Sequence, residues 1–265
     1  MGCRNLWRLF EDKKYKPMVR YTRHQRGALG GPNNKIRVDV QGSLFSTIRF
    51  AYTHCNSLDA AHAIVVERIR KLAARSHAVL YLDGGPTAEK QHTHKVRDET
   101  RAKALAAAKR NVEKFRERVD NNLRIRKHHF QDLNKHLNKT FKWDPDARKS
   151  LAQYLRKEEW TVVESIGEAD TQISLDFVDG DVVITGDSDL IIYNNITTAW
   201  RPLSGDRFLA YEVGDLLITL GFDRTQLTTL GFVSFNDYNR NVFGLGCATN
   251  RKIIKSLRGH GTCRC

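Results

Sequence analysis

The chain has no run of about 18 consecutive apolar residues, so no transmembrane helix is expected. Its start, Met1-Gly2-Cys3-Arg4-Asn5-Leu6-Trp7, lacks the apolar centre of a secretory signal. Gly2 would suit myristoylation only with Ser or Thr in the sixth position, and Leu6 stands there. Cysteine is sparse and unpaired in pattern. Cys3, Cys55, Cys247, Cys263 and Cys265 form no Cys-x-x-Cys pair, which argues against a zinc ribbon and for free thiols in a reducing compartment. There is no internal repeat, and no low-complexity tract beyond one Ala-rich stretch.

What the chain does have is a net charge of +14 over 265 residues, unevenly spread. Met1–Arg37 carries ten Lys/Arg against two acids, and Lys90–Lys142 carries sixteen against six. From Trp143 to Cys265 the balance reverses, with thirteen basic residues against seventeen acidic. Basic segments beside an acidic remainder suit a polyanionic partner held by cations. For any single Lys or Arg, a solvated helix face is the plainer account.

The acids are the second feature. Lys35-Ile36-Arg37-Val38-Asp39 and Ala78-Val79-Leu80-Tyr81-Leu82-Asp83 are short apolar runs that end in Asp, and Asp83 is followed by Gly84-Gly85-Pro86. Asp181-Val182-Val183-Ile184-Thr185-Gly186-Asp187-Ser188-Asp189 ends in two carboxylates two residues apart. Gly167-Glu168-Ala169-Asp170 opens an apolar-periodic stretch that reads as a helix start. Such runs fit buried strands of a parallel sheet, and in open α/β sheets ligands bind beyond the carboxyl ends of the strands. One strand-end Asp is ordinarily a turn former or helix cap. With Asp237, seven acids recur at such positions, where desolvation and repulsion penalise each. Divalent cations with hard oxygen ligands would offset that penalty, which points to a two-metal hydrolytic centre.

Between these motifs, Leu58–Leu72 reads as an amphipathic helix, and His94–Val119 as a helix with little apolar face. Lys90–Lys142 as a whole reads as a projecting basic helical insertion between two core strands. Asp144 and Pro145 look like the N-cap and first position of the next helix. Leu190–Tyr193 and Phe208–Tyr211 read as strands, and Val213–Leu220, Thr225–Phe235 and Thr249–Leu257 as helices. Trp143, Trp160, Trp200 and Phe243 read as core, and His92 and His94 as solvated.

Taken together, these motifs resemble the flap endonuclease/XPG superfamily of structure-specific 5′ nucleases over nearly the whole chain. The Met1-Gly2…Leu6-Trp7 start, Asp39, Leu82-Asp83-Gly84, Glu168-Ala169-Asp170-Thr171-Gln172, Thr185-Gly186-Asp187-Ser188-Asp189, Phe235-Asn236-Asp237-Tyr238 and Gly244-Leu245-Gly246 are similar to its motifs in order and spacing. The resemblance implies a PIN-like three-layer α/β fold with a central, mostly parallel sheet, a basic helical arch and a C-terminal helix–three-turn–helix. It divides the chain into an N-terminal-type region at 1–142 with the arch at about 90–142, an internal-type region at 143–232, and the helix–three-turn–helix at 233–265.

The resemblance further implies cleavage of branched or flapped DNA by a two-metal mechanism, as a 5′ flap endonuclease or also a 5′ exonuclease in replication or repair. RNA is left open as the polymer. Asp39, Asp83, Glu168, Asp170, Asp187, Asp189 and Asp237 would hold two Mg²⁺, with Mn²⁺ able to substitute and K⁺ at the helix–three-turn–helix. Lys90 and Arg97 would approach the scissile phosphate, while Gly2, Arg101, Lys103, Gly244 and Gly246 would contact DNA. A nuclear monomer with no sliding-clamp peptide is expected. Three departures stand out: Asp170 replaces a Glu, Cys247 replaces a Pro, and the chain ends soon after the hairpin helix. They motivate the alternative of a truncated or impaired homologue that binds nucleic acid without cutting it.

Overall fold

The computed structural model describes residues 6–11, 19–23, 33–85, 90–203, 207–234 and 245–257. In chain order the elements are α1 (Leu6–Phe10), β1 (Val19–Arg23), β2 (Ile36–Asp39), α2 (Val40–His54), α3 (Leu58–Leu72), β3 (Ala78–Leu82), α4 (Gln91–Asp120), α5 (Lys127–Thr140), α6 (Pro145–Lys157), β4 (Thr161–Glu164), α7 (Ala169–Asp176), β5 (Val182–Ile184), β6 (Thr198–Pro202), β7 (Arg207–Glu212), α8 (Val213–Leu220), α9 (Arg224–Val233) and α10 (Cys247–Leu257).

The strands form one sheet in the order β1-β7-β6-β5-β2-β3-β4. From β6 through β5, β2 and β3 to β4 all neighbours are parallel, and β7 pairs antiparallel with β6 and β1. All four residues of β2 are buried, Ile36 and Val38 on one face, Arg37 and Asp39 on the other. A strand covered on both faces is what a three-layer parallel α/β fold produces. Parallel neighbours place the carboxyl ends of β2, β3 and β5 side by side, and the acids sit there.

Most elements form where the sequence indicates. Ser57 caps α3 through its side chain, and the Asp144 carboxylate accepts the Asp146 N–H at the start of α6. Trp143, Trp160 and Trp200 are buried, and His92 is exposed. One strand expectation is corrected: Leu190–Tyr193 is not a strand, because Asp189–Ile192 forms a single 3₁₀ turn. The Asp187 carboxylate accepts the Asp189 N–H (3.0 Å), which bends the chain, and Leu190 and Ile191 then enter the core from a turn. A short apolar run is equally compatible with both outcomes.

Two compact units result: Met1–Gly85 with Arg148–Cys265, and Pro86–Ala147. The first holds the sheet and its core. The second consists of α4 packed on α5, with Phe115 against Phe130 (centroids 5.4 Å) and His129 (6.0 Å). No helix of the described residues is long and apolar enough to cross a membrane.

Candidate active site

Asp39 is the centre of the site. It ends β2 and caps α2, with its Oδ1 accepting the Gly42 N–H (2.8 Å) and its Oδ2 accepting the Thr185 hydroxyl (2.8 Å). Only 3% of Asp39 is exposed. Burial, then the charge of Asp83, pushes its carboxyl up to about 7, with a smaller push from Asp187; the two hydrogen bonds oppose the shift. Asp39 therefore feels the charge of Asp83 and Asp187, which follow the two strands on either side of β2.

Thr185 links β2 to the turn after β5. Fully buried, it donates to Asp39 and accepts the Asp187 N–H (2.9 Å). Close backbone approach makes this geometry possible. A Cβ on Gly186 would lie 2.5 Å from the Gly42 carbonyl oxygen, and one on Gly42 would lie 1.9 Å from Asp39 Oδ2. Ser43 donates to the Ile184 carbonyl (2.8 Å), and the Trp7 indole N–H to the Gly186 carbonyl (3.0 Å). Trp7 itself lies against Tyr211, with centroids 4.6 Å apart. Thr185 and Trp7 stood inside quoted motifs, yet no sequence pattern announced that they hold the carboxylate turn.

Asp83 and Glu168 meet through their loops. The Gly84 N–H donates to the Gly167 carbonyl (2.7 Å), and Asp83 Oδ1 accepts the Ala169 N–H (2.9 Å), the first helical residue of α7. A carboxylate there satisfies an otherwise open helix donor and complements the helix dipole. Glu168 is the N-cap residue of α7, and Asp170 lies in its first turn. Asp187 and Asp189 are each 8% exposed.

The remaining sequence candidates belong to α4 and to the start of α10. Lys90 is the N-cap residue of α4, and Arg97, Arg101 and Lys103 lie in its N-terminal half, all within the helical unit. Arg101 donates to Asp98 (2.6 Å). Gly246 precedes α10, where its carbonyl accepts the Thr249 and Asn250 N–H groups at 2.9 Å each. The Asn250 side chain ties α10 to the Val233 carbonyl and the Ser234 hydroxyl of the preceding helix end. Gly2, Asp237 and Gly244 lie outside the described residues.

The acids offer only hard oxygen donors, the set that Mg²⁺ and Mn²⁺ prefer. The repulsion that raises Asp39 is also what a cation among these groups would reverse. In that chemical sense the residues fit a divalent centre. As they stand, no group of three or more His, Cys, Asp or Glu among the described residues is arranged to hold an ion.

No protein-family model matches the sequence, and no curated protein does. Solved structures share the fold. The catalytic core of Rad2 in complex with DNA substrate aligns with a TM-score of 0.59 at 19% identity, covering 96% of this chain and 69% of that one. Human GEN1 in complex with Holliday junction DNA gives 0.56 at 15% identity, covering 96% and 55%. Flap endonuclease-1 from Methanococcus jannaschii gives 0.56 at 16% identity, covering 91% and 76%. The resemblance seen in the motifs thus holds at the level of fold: this chain has the PIN-like α/β fold of the Rad2 core, human GEN1 and flap endonuclease-1.

Proposed function

We propose that the chain is a metal-dependent, structure-specific 5′ nuclease of the flap endonuclease/XPG kind, hydrolysing phosphodiester bonds in branched or flapped DNA. The observation that carries this reading is the Asp39 carboxyl, hydrogen-bonded by Thr185 and raised first by burial and then by Asp83 and Asp187 at neighbouring strand ends. A surface built only to bind a polyanion would do better without such carboxylates. The fold shared with proteins solved on DNA substrate and on Holliday junction DNA supports the same reading.

Asp39, Asp83, Glu168, Asp170, Asp187 and Asp189, with Asp237, would hold two divalent ions. The chemistry such ions supply is activation of water and neutralisation of charge on the phosphoryl and leaving oxygens. The chain's own residues do the rest. Thr185 keeps Asp39 and the Asp187 turn in register, and Asp83 holds the start of α7. Lys90 and Arg97 would supply positive charge for the scissile phosphate. Gly246 and the start of α10, together with Gly244, grip duplex phosphate away from the cut.

The test is cleavage of a 5′-labelled single-flap DNA with Mg²⁺, Mn²⁺ or EDTA, beside Asp187→Ala. The expected result is metal-dependent cutting near the junction, lost by about 100-fold or more in the variant, with DNA binding retained. Cutting by Asp187→Ala at the wild-type rate would remove the assignment. Tight binding without cutting by the wild type would instead indicate a nucleic-acid-binding homologue.

A further inference from the structure

Behind the carboxylates lies a second set of buried polar groups that the proposed chemistry does not use. Arg37 is two residues before Asp39 on β2 and so shares its face of the sheet, while Tyr81 lies on β3 two residues before Asp83, which follows the strand. Arg37 Nε donates to Asp181 Oδ2 (2.7 Å), and its Nη1 donates to the Tyr81 hydroxyl. The Tyr81 hydroxyl donates in turn to Asp176 Oδ2 (2.9 Å), whose other oxygen accepts the Gln172 side-chain amide (2.8 Å). Asp181 also accepts the backbone N–H groups of Lys35 (2.7 Å) and Val178 (3.1 Å). Arg37 and Asp181 are buried, and Tyr81 is wholly so.

A buried ion pair with a hydroxyl relay is an expensive way to fill a core. Apolar side chains of similar volume would stabilise the sheet as well or better. What the relay supplies that apolar packing would not is direction. Asp176 is the last residue of α7, and Gln172 lies midway along it. The opposite end of the same helix is held by Asp83, through the Ala169 N–H. Helix α7 is therefore tied at both ends to the β3 segment: at its start by Asp83, just after the strand, and at its finish by Tyr81 within it. Between those points it carries Asp170 in its first turn, with Glu168 as its N-cap residue. Losing the Tyr81 contact would free the far end of an eight-residue helix to rotate or slide on β2 and β3, and its two acids would move with it.

We infer that Tyr81, through Asp176, is a positioning residue that sets α7 on the sheet and thereby tunes the divalent-ion affinity of the strand-end carboxylates. The inference rests on the proposed metal-dependent reading. It adds a residue with no ligating role, and its hydroxyl does not touch Asp39 or Asp83 among the contacts described.

The test is divalent binding without DNA, by calorimetry with Mn²⁺ and by the Mg²⁺-dependent rise in Tm, on the full chain. Tyr81→Phe removes the hydroxyl and keeps the ring. Asp176→Asn keeps an acceptor oxygen and serves as the second variant should Tyr81→Phe fold poorly. Tyr81→Phe is expected to weaken Mn²⁺ binding by about 10- to 100-fold, the usual range when a group orienting a metal ligand is lost. Asp176→Asn should weaken it less. Cleavage by Tyr81→Phe should recover towards the wild-type rate as Mn²⁺ is raised, which a merely structural defect would not do. A lower Tm with unchanged Mn²⁺ affinity in both variants would overturn the positioning role while leaving the metal reading intact. A wild-type chain that binds neither ion at millimolar concentration would overturn both.

Discussion

In the α/β unit, a set of ionisable side chains is buried or half-buried and tied by bonds that reach across the sequence: Asp39 to Thr185, Arg37 to Asp181, Tyr81 to Asp176. In the helical unit, Pro86–Ala147, most of the ion pairs lie within one turn of helix at the surface, and Lys142 with Asp98 (3.8 Å) is a longer-range one. Arg101 meets Asp98 and Arg116 meets Glu113, each three residues apart on α4, and α5 buries no residue at all. The α/β unit places charge where water cannot screen it, so each group's position is dictated by distant parts of the chain. Apart from the buried Lys90, the helical unit keeps most of its charge in solvent, where position follows from helix periodicity and individual pairs contribute little. One region is therefore built to fix a few carboxylates, and the other to present many cations.

The comparison is sharpened most by Arg97→Ala. If Arg97 serves the scissile phosphate, turnover should fall by about 100-fold while junction affinity falls far less; equal losses would make it one more binding cation. Next is Thr185→Val, which strands the Asp187 N–H and one oxygen of Asp39. A loss of about 1–3 kcal/mol in urea unfolding is expected, with Thr185→Ser close to wild type. A neutral Thr185→Val would show that the strand-end turn is held by packing instead.

The raised carboxyl of Asp39 gives a third test. Its folded value of about 7 lies above its ordinary 3.8, so between these limits the folded chain binds the proton more tightly than the unfolded one. The stabilisation is complete at low pH and is lost as pH rises through about 7. Burial holds the His62 imidazole below its usual range, which acts in the opposite sense, so the readout is the difference between wild type and Asp39→Asn. In metal-free buffer the wild type should lose Tm relative to Asp39→Asn between pH 5 and pH 8. Added Mg²⁺ should remove that loss. The smallest effect is expected at the other extreme: Arg116→Ala on α4 should change stability by no more than about 0.5 kcal/mol.

Several elements were legible because their determinants are local. Leu58–Leu72 and Val213–Leu220 follow their apolar periodicity to the residue, and Gln91–Asp120 follows its run of strong helix formers. The acids were legible for a different reason, since carboxylates at the ends of apolar runs need an explanation wherever they occur. Other elements were not. The first helix after β2, Val40–His54, contains Gly, Ser, Thr and aromatic residues of modest propensity. It forms because Asp39 caps it and Val40, Leu44, Ile48 and Ala51 bury one stripe. Strand β1 alternates only over Val19-Arg20-Tyr21-Thr22, and β6 has no alternation and ends in Pro202. They exist because β7 and β5 offer edges to pair with.

The sequence by itself determined the strand-end acids, the long basic helix and the parallel character of the sheet, because apolar periodicity, helix propensity and charge are properties of neighbours along the chain. Only the tertiary structure decided that Thr185 would bond to Asp39, that Gly186 would sit against Gly42, and that Tyr81 would hold the end of α7. Those contacts join residues up to 146 positions apart, and their geometry depends on strand order and register, which no local pattern encodes.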